Sequence, residues 1–294
     1  MILFVTSTEH RYTHEDVEAE GDEIDAKVVS YDALIEGARD ARVATYVFTD
    51  FERLSPSRLI QASRLYRAFK ARGWRVINDP ARVSSRFGLL RRLHRLGIND
   101  FDAYRVEELV TPRRWPVFLR SEGTHAAPVS ALLNDAEELR RATSKAVASG
   151  IPLASLLIVE YRAEPVRPGL FRRLSVFRVG DRLLGCSCAH DDNWIVKYGK
   201  TGIAPPELYE EEYSLVRDNP FADALRAAFD AGGIDYGRAD FGLIEGTPRI
   251  YEINTNPHLE FKLEPHPVPR RNESTALFRT NYLDALRAVD TPGE

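Results

Sequence analysis

Apolar positions in the first 80 residues come in short blocks: Ile2 to Thr6, Lys27 to Ser30, Thr45 to Phe48 and Trp74 to Ile77 have the length and composition of buried strands. Between the last two blocks, Leu59, Ala62, Tyr66 and Phe69 recur at helical spacing. That pattern follows Ser55-Pro56, a capping residue and a proline whose φ suits the first helical turn, and it stops at Gly73. Strands alternating with helices predict α/β packing with at least one crossover. A basic amphipathic pattern from Arg82 to Leu96 predicts a helix closed by Gly97, and Phe101 to Thr111 leads through Pro112 to a strand over Pro116 to Arg120. The main boundary is expected near residue 110. Asp135 is placed to cap a helix carrying Leu139, Ala142 and Val147 that ends at Gly150-Ile151-Pro152, and Leu156 to Tyr161 follows as an apolar strand. Gly180-Asp181 has the composition of a hairpin turn between Leu174–Val179 and Leu183–Cys188. Phe221, Leu225, Ala228 and Phe229 share a helical face that closes at Gly232-Gly233, and no internal repeat or low-complexity tract occurs.

Composition narrows the class. A chain of 294 residues suits two or three packed subdomains of about 100 residues each. No apolar run approaches the ~20 residues needed to cross a bilayer. MILFVTSTEH lacks a basic leader and a small-residue cleavage site, so it is expected to be a first strand, and the protein to be cytoplasmic and without a membrane partner. The formal charge of −4 gives no reason to expect nucleic acid as a partner. Cys186 and Cys188 are not expected to form a disulfide. Lysine occurs only at positions 27, 70, 145, 197, 200 and 262, so 34 of the 40 basic residues are arginine.

The chemistry concentrates in GRADFGLIEGTPRIYEINTNPH, where Arg238 to Ile244 and Arg249 to Asn254 alternate around Glu245-Gly246-Thr247-Pro248. A hairpin turning about Gly246 sets Asp240 opposite Glu252 and Arg238 opposite Asn254, all on one face, with Phe241, Tyr251 and Ile253 on the other. Two carboxylates directly opposed repel each other unless a proton, an arginine or a cation lies between them. Carboxylate and amide oxygens are also the donor set that Mg2+ accepts.

The RxDF and YEINTNP runs in this hairpin resemble the metal-binding signature of the ATP-grasp superfamily, which includes D-alanine:D-alanine ligase, glutathione synthetase and ribosomal S6 modification enzymes. The resemblance covers about Val76 to Pro257. It implies an α/β chain, α+β in its ATP-grasp part, with an N-terminal Rossmann-like preceding domain and linker helix over 1–110, a central lid lobe over 111–165 and a C-terminal lobe over 166–294 carrying the metal site. It implies ATP and two Mg2+ ions, with Mn2+ as a substitute: Asp240 on one ion, Glu252 bridging both, Asn254 completing the second, and Arg238 steadying the acyl-phosphate. Leu156 to Glu164 resembles the adenine-binding linker, which implies Glu160 near the adenine amino group, Tyr161 beside the base and Glu164 near the ribose. Trp194-Ile-Val-Lys-Tyr198 resembles the segment whose lysine reaches the γ-phosphate, which makes Lys197 the phosphate contact.

Two positions depart from the pattern. Arg120 and Arg86 stand where relatives place phosphate-binding lysines, and a planar guanidinium is not a neutral exchange for an ammonium. Ser121 to His125 replaces the lid turn with one glycine and an acidic residue. His10, with His14 on the same loop after the first strand, is expected to contact substrate rather than metal, and His258, Glu260, Lys262 and His266 to read the acceptor. The implied reaction is ATP-dependent ligation of a small-molecule or peptide carboxylate with an amine through an acyl-phosphate, with a homodimer left open as its assembly. A phosphotransferase acting on a hydroxyl and a non-catalytic nucleotide-binding scaffold are the alternatives. No G-x-S-x-G, Walker or G-x-G-x-x-G motif is present.

Overall fold

The N-terminal apolar runs become the strands of a parallel sheet in a computed structural model that describes residues 1–37, 43–124, 127–261 and 264–290. Strands β1 (Ile2–Thr6), β2 (Ala26–Ser30), β3 (Thr45–Phe48) and β4 (Arg75–Ile77) stand in the order β2-β1-β3-β4, all adjacent pairs parallel. Helices α1 (Glu15–Glu18), α2 (Tyr31–Ile35) and α3 (Pro56–Ala71) connect them. The Ser55 hydroxyl accepts the Arg58 amide at the start of α3, as the sequence predicts. Both faces of this sheet are covered: Ile2 and Phe4 enter one core, Met1, Leu3 and Val5 another.

Helix α4 (Arg86–Arg95) starts four residues later than its basic pattern suggests, because the Ser85 hydroxyl accepts the Gly88 amide and caps it there. Next come β5 (Ala103–Arg105), β6 (Val117–Ser121), α5 (Ala136–Ala148) and β7 (Leu156–Glu160). These strands form a small antiparallel sheet, β5-β7-β6, so β5 pairs with β7 although it precedes residue 110. Asp135 accepts the amides of Glu137 and Glu138 and caps α5. Leu139 and Ala142 pack on the sheet, whereas Val147, expected on that face, is exposed and Ala146 is buried instead.

The third sheet holds β8 (Phe171–Val179), β9 (Arg182–Asp191), β10 (Tyr236–Ile244) and β11 (Thr247–Asn254), in the order β11-β10-β8-β9 and antiparallel throughout. Between β9 and β10 run α6 (Pro206–Asp218) and α7 (Ala222–Gly232), and α8 (Pro269–Asp290) follows β11. Sequence reading passed over α6 and α8, although Phe278, Tyr282, Leu286 and Val289 of α8 do recur at helical spacing and are buried. Both cysteines are free: a bulge at Cys186 turns it toward a cavity, and Cys188 lies in the core, its amide donating to Glu212 of α6.

Two joints hold the first sheet to the third. Asn78, left-handed at φ 62°, donates to the carbonyls of Phe48 (3.0 Å) and Tyr236 (2.8 Å) and accepts the amides of Asp235 (2.7 Å) and Tyr236 (2.9 Å). All four of its amide sites are used. The end of α8 supplies the other: the Val289 carbonyl accepts from Thr45 Oγ1 (2.9 Å) and Arg75 (3.1 Å), and Asp290 pairs with the Met1 ammonium at 2.9 Å. Phe177, Tyr236 and Tyr282 accordingly share one core with Phe4 and Val47. Among the described residues no helix is long and apolar enough to cross a membrane.

His14, expected beside the site, is instead fully buried and stacked on Phe4 with ring centroids 4.5 Å apart, with the Asn256 side chain beside it. Burial pulls its pKa down to about 3. The unfolded chain, with His14 near 6.5, therefore binds this proton first, so stability falls as pH drops below 6.5 and keeps falling until about 3. Between pH 7 and 5 the unfolding free energy should fall by about 2 kcal/mol from this residue, the slope approaching about 1.4 kcal/mol per pH unit only at the acid end. Urea titrations of the wild type and His14→Phe at both pH values will check this, the variant losing less on acidification.

Candidate active site

The β10–β11 hairpin turns through Glu245 and Gly246, both at positive φ (51° and 75°), so Ile244 faces Thr247 across a two-residue turn. That register alone would misalign the carboxylates. A bulge between Asp240 and Phe241 leaves Tyr251 without an opposite residue and restores Asp240 against Glu252 and Arg238 against Asn254, the pairing predicted from the sequence. Tyr251 is thereby corrected: it leaves the core that holds Phe241 and Ile253, packs against Phe101 and Phe118, and lines the cavity beside Glu252. Gly242 makes room for its ring, since a β-carbon there would collide with the Tyr251 hydroxyl.

Arg238, Asp240, Glu252 and Asn254 all line one cavity of about 580 Å³ between the three sheets. Asp240, 1% exposed, accepts from Ser175 Oγ (2.8 Å) and from Arg238 Nε (2.9 Å) and Nη2 (3.1 Å), with Arg173 at 3.2 Å. Glu252 Oε2 accepts from Arg86 (2.6 Å) and Arg120 (2.7 Å). Each opposed carboxylate thus faces two guanidinium groups, which supply the required counter-charge. Burial acts against the Arg238 charge, but the Asp240 carboxylate holds its pKa above the usual arginine value. Arg120 is drawn below that value by burial, against the pull of Glu252. Sequence reading missed Arg173 and Ser175, because only the β8–β10 register, Ser175 opposite Asp240, brings their face to the cavity.

Arg86 does not stand free as a phosphate contact. Its Nη1 donates to the carbonyls of Ser121 (3.3 Å), Glu122 (2.8 Å) and Thr124 (2.8 Å) while Nη2 holds Glu252. It is a tie between α4, the loop after β6 and the hairpin. The Glu122 carboxylate turns outward to Arg105 at 2.8 Å. His125 lies outside the described residues.

The adenine assignments change in part. Glu160 is 2% exposed, and its carboxylate accepts from Tyr104 Oη (2.9 Å) and the amides of Asp102 (3.0 Å), Arg113 (2.9 Å) and Arg114 (3.0 Å). Three of these donors meet Oε1 and one meets Oε2, so this cavity-lining residue is engaged in tying the 102–104 and 113–114 segments to β7. Glu164 is exposed, accepts the Glu245 amide at 3.1 Å and does not line the cavity, so the ribose assignment is not met. Tyr161 does line it, half-buried, with Trp194 between it and Phe118: ring centroids lie 5.5 Å from Tyr161, edge-on, and 5.0 Å from Phe118. These three rings form an aromatic wall of the cavity, and Trp194 is the member that the lysine-containing motif concealed. Lys197 lines the cavity from an exposed position, its ammonium 5.0 Å from the Tyr198 ring centre.

At the cavity end beneath the first sheet stand His10, Arg53, His258 and Glu260. His266 does not line the cavity, and Lys262 lies outside the described residues. Among the described residues no three His, Cys, Asp or Glu side chains converge as a metal cluster. The donors that do meet, Asp240, Glu252 and the Asn254 amide, are all oxygen and suit a hard divalent cation that keeps water or phosphate ligands of its own.

No family model matches the chain, and no curated protein matches it. Solved structures do. D-alanine–D-alanine ligase from Bacillus anthracis complexed with ATP superposes with a TM-score of 0.55 at 14% identity, covering 100% of both chains. The D-alanine-D-alanine ligase from Coxiella burnetii gives 0.55 at 13%, over 99% of this chain and 95% of that one. ATP-grasp ligase PsnB, complexed with minimal precursor, gives 0.50 at 14%, over 95% and 98%. At such identities the likeness is one of fold, and it runs the length of the chain: this protein has the ATP-grasp fold.

Proposed function

We propose that this protein is an ATP-dependent carboxylate-amine ligase that forms an amide or peptide bond through an acyl-phosphate, acting on small-molecule or peptide substrates in the cytoplasm. The observation that carries the reading is the register of β10 and β11, which aims Arg238, Asp240, Glu252 and Asn254 into one cavity. The superposed ligases support the reaction class.

Asp240, Glu252 and Asn254 would hold Mg2+, whose charge neutralises the triphosphate and the transferred phosphoryl group. The chain's own groups do the rest. Phe118, Tyr161 and Trp194 receive the adenine and exclude water around it. Arg120, Arg173 and Lys197 border the phosphate path, and Arg120 and Arg173 can exchange a carboxylate for a phosphate oxygen without losing charge pairing. Arg238, held by Asp240, presents a fixed cation to the acyl-phosphate and to the oxyanion formed when the amine adds. Positioning and charge stabilisation carry the phosphoryl step.

Mg-ATP at about 100 times its dissociation constant should add about 2.7 kcal/mol and raise the unfolding midpoint by about 5 °C. No shift with either ATP or ADP at millimolar concentration would remove the nucleotide reading. Glu252→Gln and Asp240→Asn should each lower turnover by about 100-fold or more with the fold intact, read as ADP and phosphate release; normal rates in either would end the assignment of those residues. Trp194→Ala should raise KM for ATP about tenfold through lost stacking, with kcat little changed. Release of ADP without phosphate would point to a phosphotransferase.

A further inference from the structure

The carboxyl edge of the first sheet is the edge where open α/β sheets hold ligands, and here it carries a polar relay. Ser7 follows β1 and Asp50 follows β3. Asp50 is fully buried and left-handed at φ 60°, a conformation that aspartate tolerates at a cost and that marks functional segments. Its Oδ1 accepts from Arg53, and its Oδ2 accepts the Ser7 hydroxyl.

The protons in this relay can be placed. An ionised carboxylate only accepts, so the single Ser7 proton is committed to Asp50. Ser7 Oγ lies 2.8 Å from His10 Nδ1, and with its proton spent it must accept from Nδ1–H. The neutral imidazole therefore carries its proton on Nδ1 and a lone pair on Nε2. No described residue bonds Nε2, and His10 lines the cavity. Asp50 Oδ2 also lies 3.4 Å from Nδ1 and would stabilise the ring once it is charged, sharing its own charge with Arg53.

We propose that His10 is the general base that deprotonates the incoming amine, with Ser7 and Asp50 as positioning residues that set its tautomer. The inference rests on the ligase reading above. Amines reach the enzyme largely as ammonium at neutral pH, and an α-amino group has a pKa of about 7.7–8.0. Without a lone pair no attack occurs. In the step proposed, His10 Nε2 takes one ammonium proton and the freed nitrogen bonds to the acyl carbon. The C–O bond to phosphate then breaks, and the second nitrogen proton leaves with the phosphate as hydrogen phosphate. His10 returns its proton to water.

Other bases at the cavity are worse placed. Asp240 and Glu252 are held by guanidinium groups, the Glu160 carboxylate is tied to three backbone amides and the Tyr104 hydroxyl, and burial pushes the Cys186 thiol up. His258 has only the exposed Glu260, 3.3 Å away, to orient it.

The test compares two small nucleophiles, ammonium, which must lose a proton, and hydroxylamine, which is largely unprotonated at neutral pH. Each common amino acid and a panel of dipeptides serve as carboxylates with Mg-ATP, and hydroxamate and primary amide are counted by mass spectrometry. Wild type should make both. His10→Gln should lower the ratio of amide to hydroxamate at least about tenfold, given the 10²–10⁴-fold that a general base typically supplies. Ser7→Ala should lower it by a smaller factor. Equal loss of both products in His10→Gln would make His10 a substrate contact and overturn the proposal, as would an unchanged ratio, or a wild type that makes hydroxamate and no amide. A wild type that makes neither product overturns the ligase reading itself, and the base with it.

Discussion

Asp240 and Glu252 sit face to face on neighbouring antiparallel strands, and this repulsion is the constraint around which the site is built. Opposed carboxylates survive in a cavity only with positive charge between or beside them. Arg173 and Arg238 meet Asp240, and Arg86 and Arg120 meet Glu252. Arg238 belongs to the hairpin itself and the other three come from three different parts of the chain, so satisfying one hairpin draws α4, the small sheet and β8 to the same place. The electrostatic need and the closure of the cavity are one requirement.

Position then depends on the joints between sheets. Asn78 spends its whole amide on backbone groups of β3, β10 and the residue before β10, and the end of α8 fastens to β3, β4 and the N-terminus. With those joints made, the carboxyl edge of the first sheet and the carboxylates of the third open onto one space.

Replacement of lysine by arginine has different consequences at two positions. A guanidinium offers five donors in a rigid fork, enough for Arg86 to hold three carbonyls and a carboxylate together. The single nitrogen of a lysine could not stand both among the loop carbonyls, as Nη1 does, and against the carboxylate, as Nη2 does. Arg86 thus acts as architecture for the loop after β6. Among the described residues Arg120 donates to Glu252 alone, and it lines the cavity, so its fork keeps donors for an anion.

Local pattern was sufficient for much of this protein. Strand positions, the Ser55 and Asp135 caps and both hairpins follow from period, capping chemistry and turn residues, all of which act within a few residues, whereas the predicted pairing of Asp240 with Glu252 is reached through a two-residue turn and a bulge that the pattern did not show. The resemblance of RxDF and YEINTNP to ATP-grasp motifs led to the right fold because those residues lie on one hairpin. What the sequence could not decide depends on partners far along the chain. Glu160 has the right residue type at the right place, yet Tyr104, Asp102, Arg113 and Arg114 occupy it. His10 and His14 are four residues apart and look equivalent, but one faces the cavity and the other stacks on Phe4. Residue identity sets which hydrogen bonds a side chain can make; only tertiary packing decides which of them are already taken.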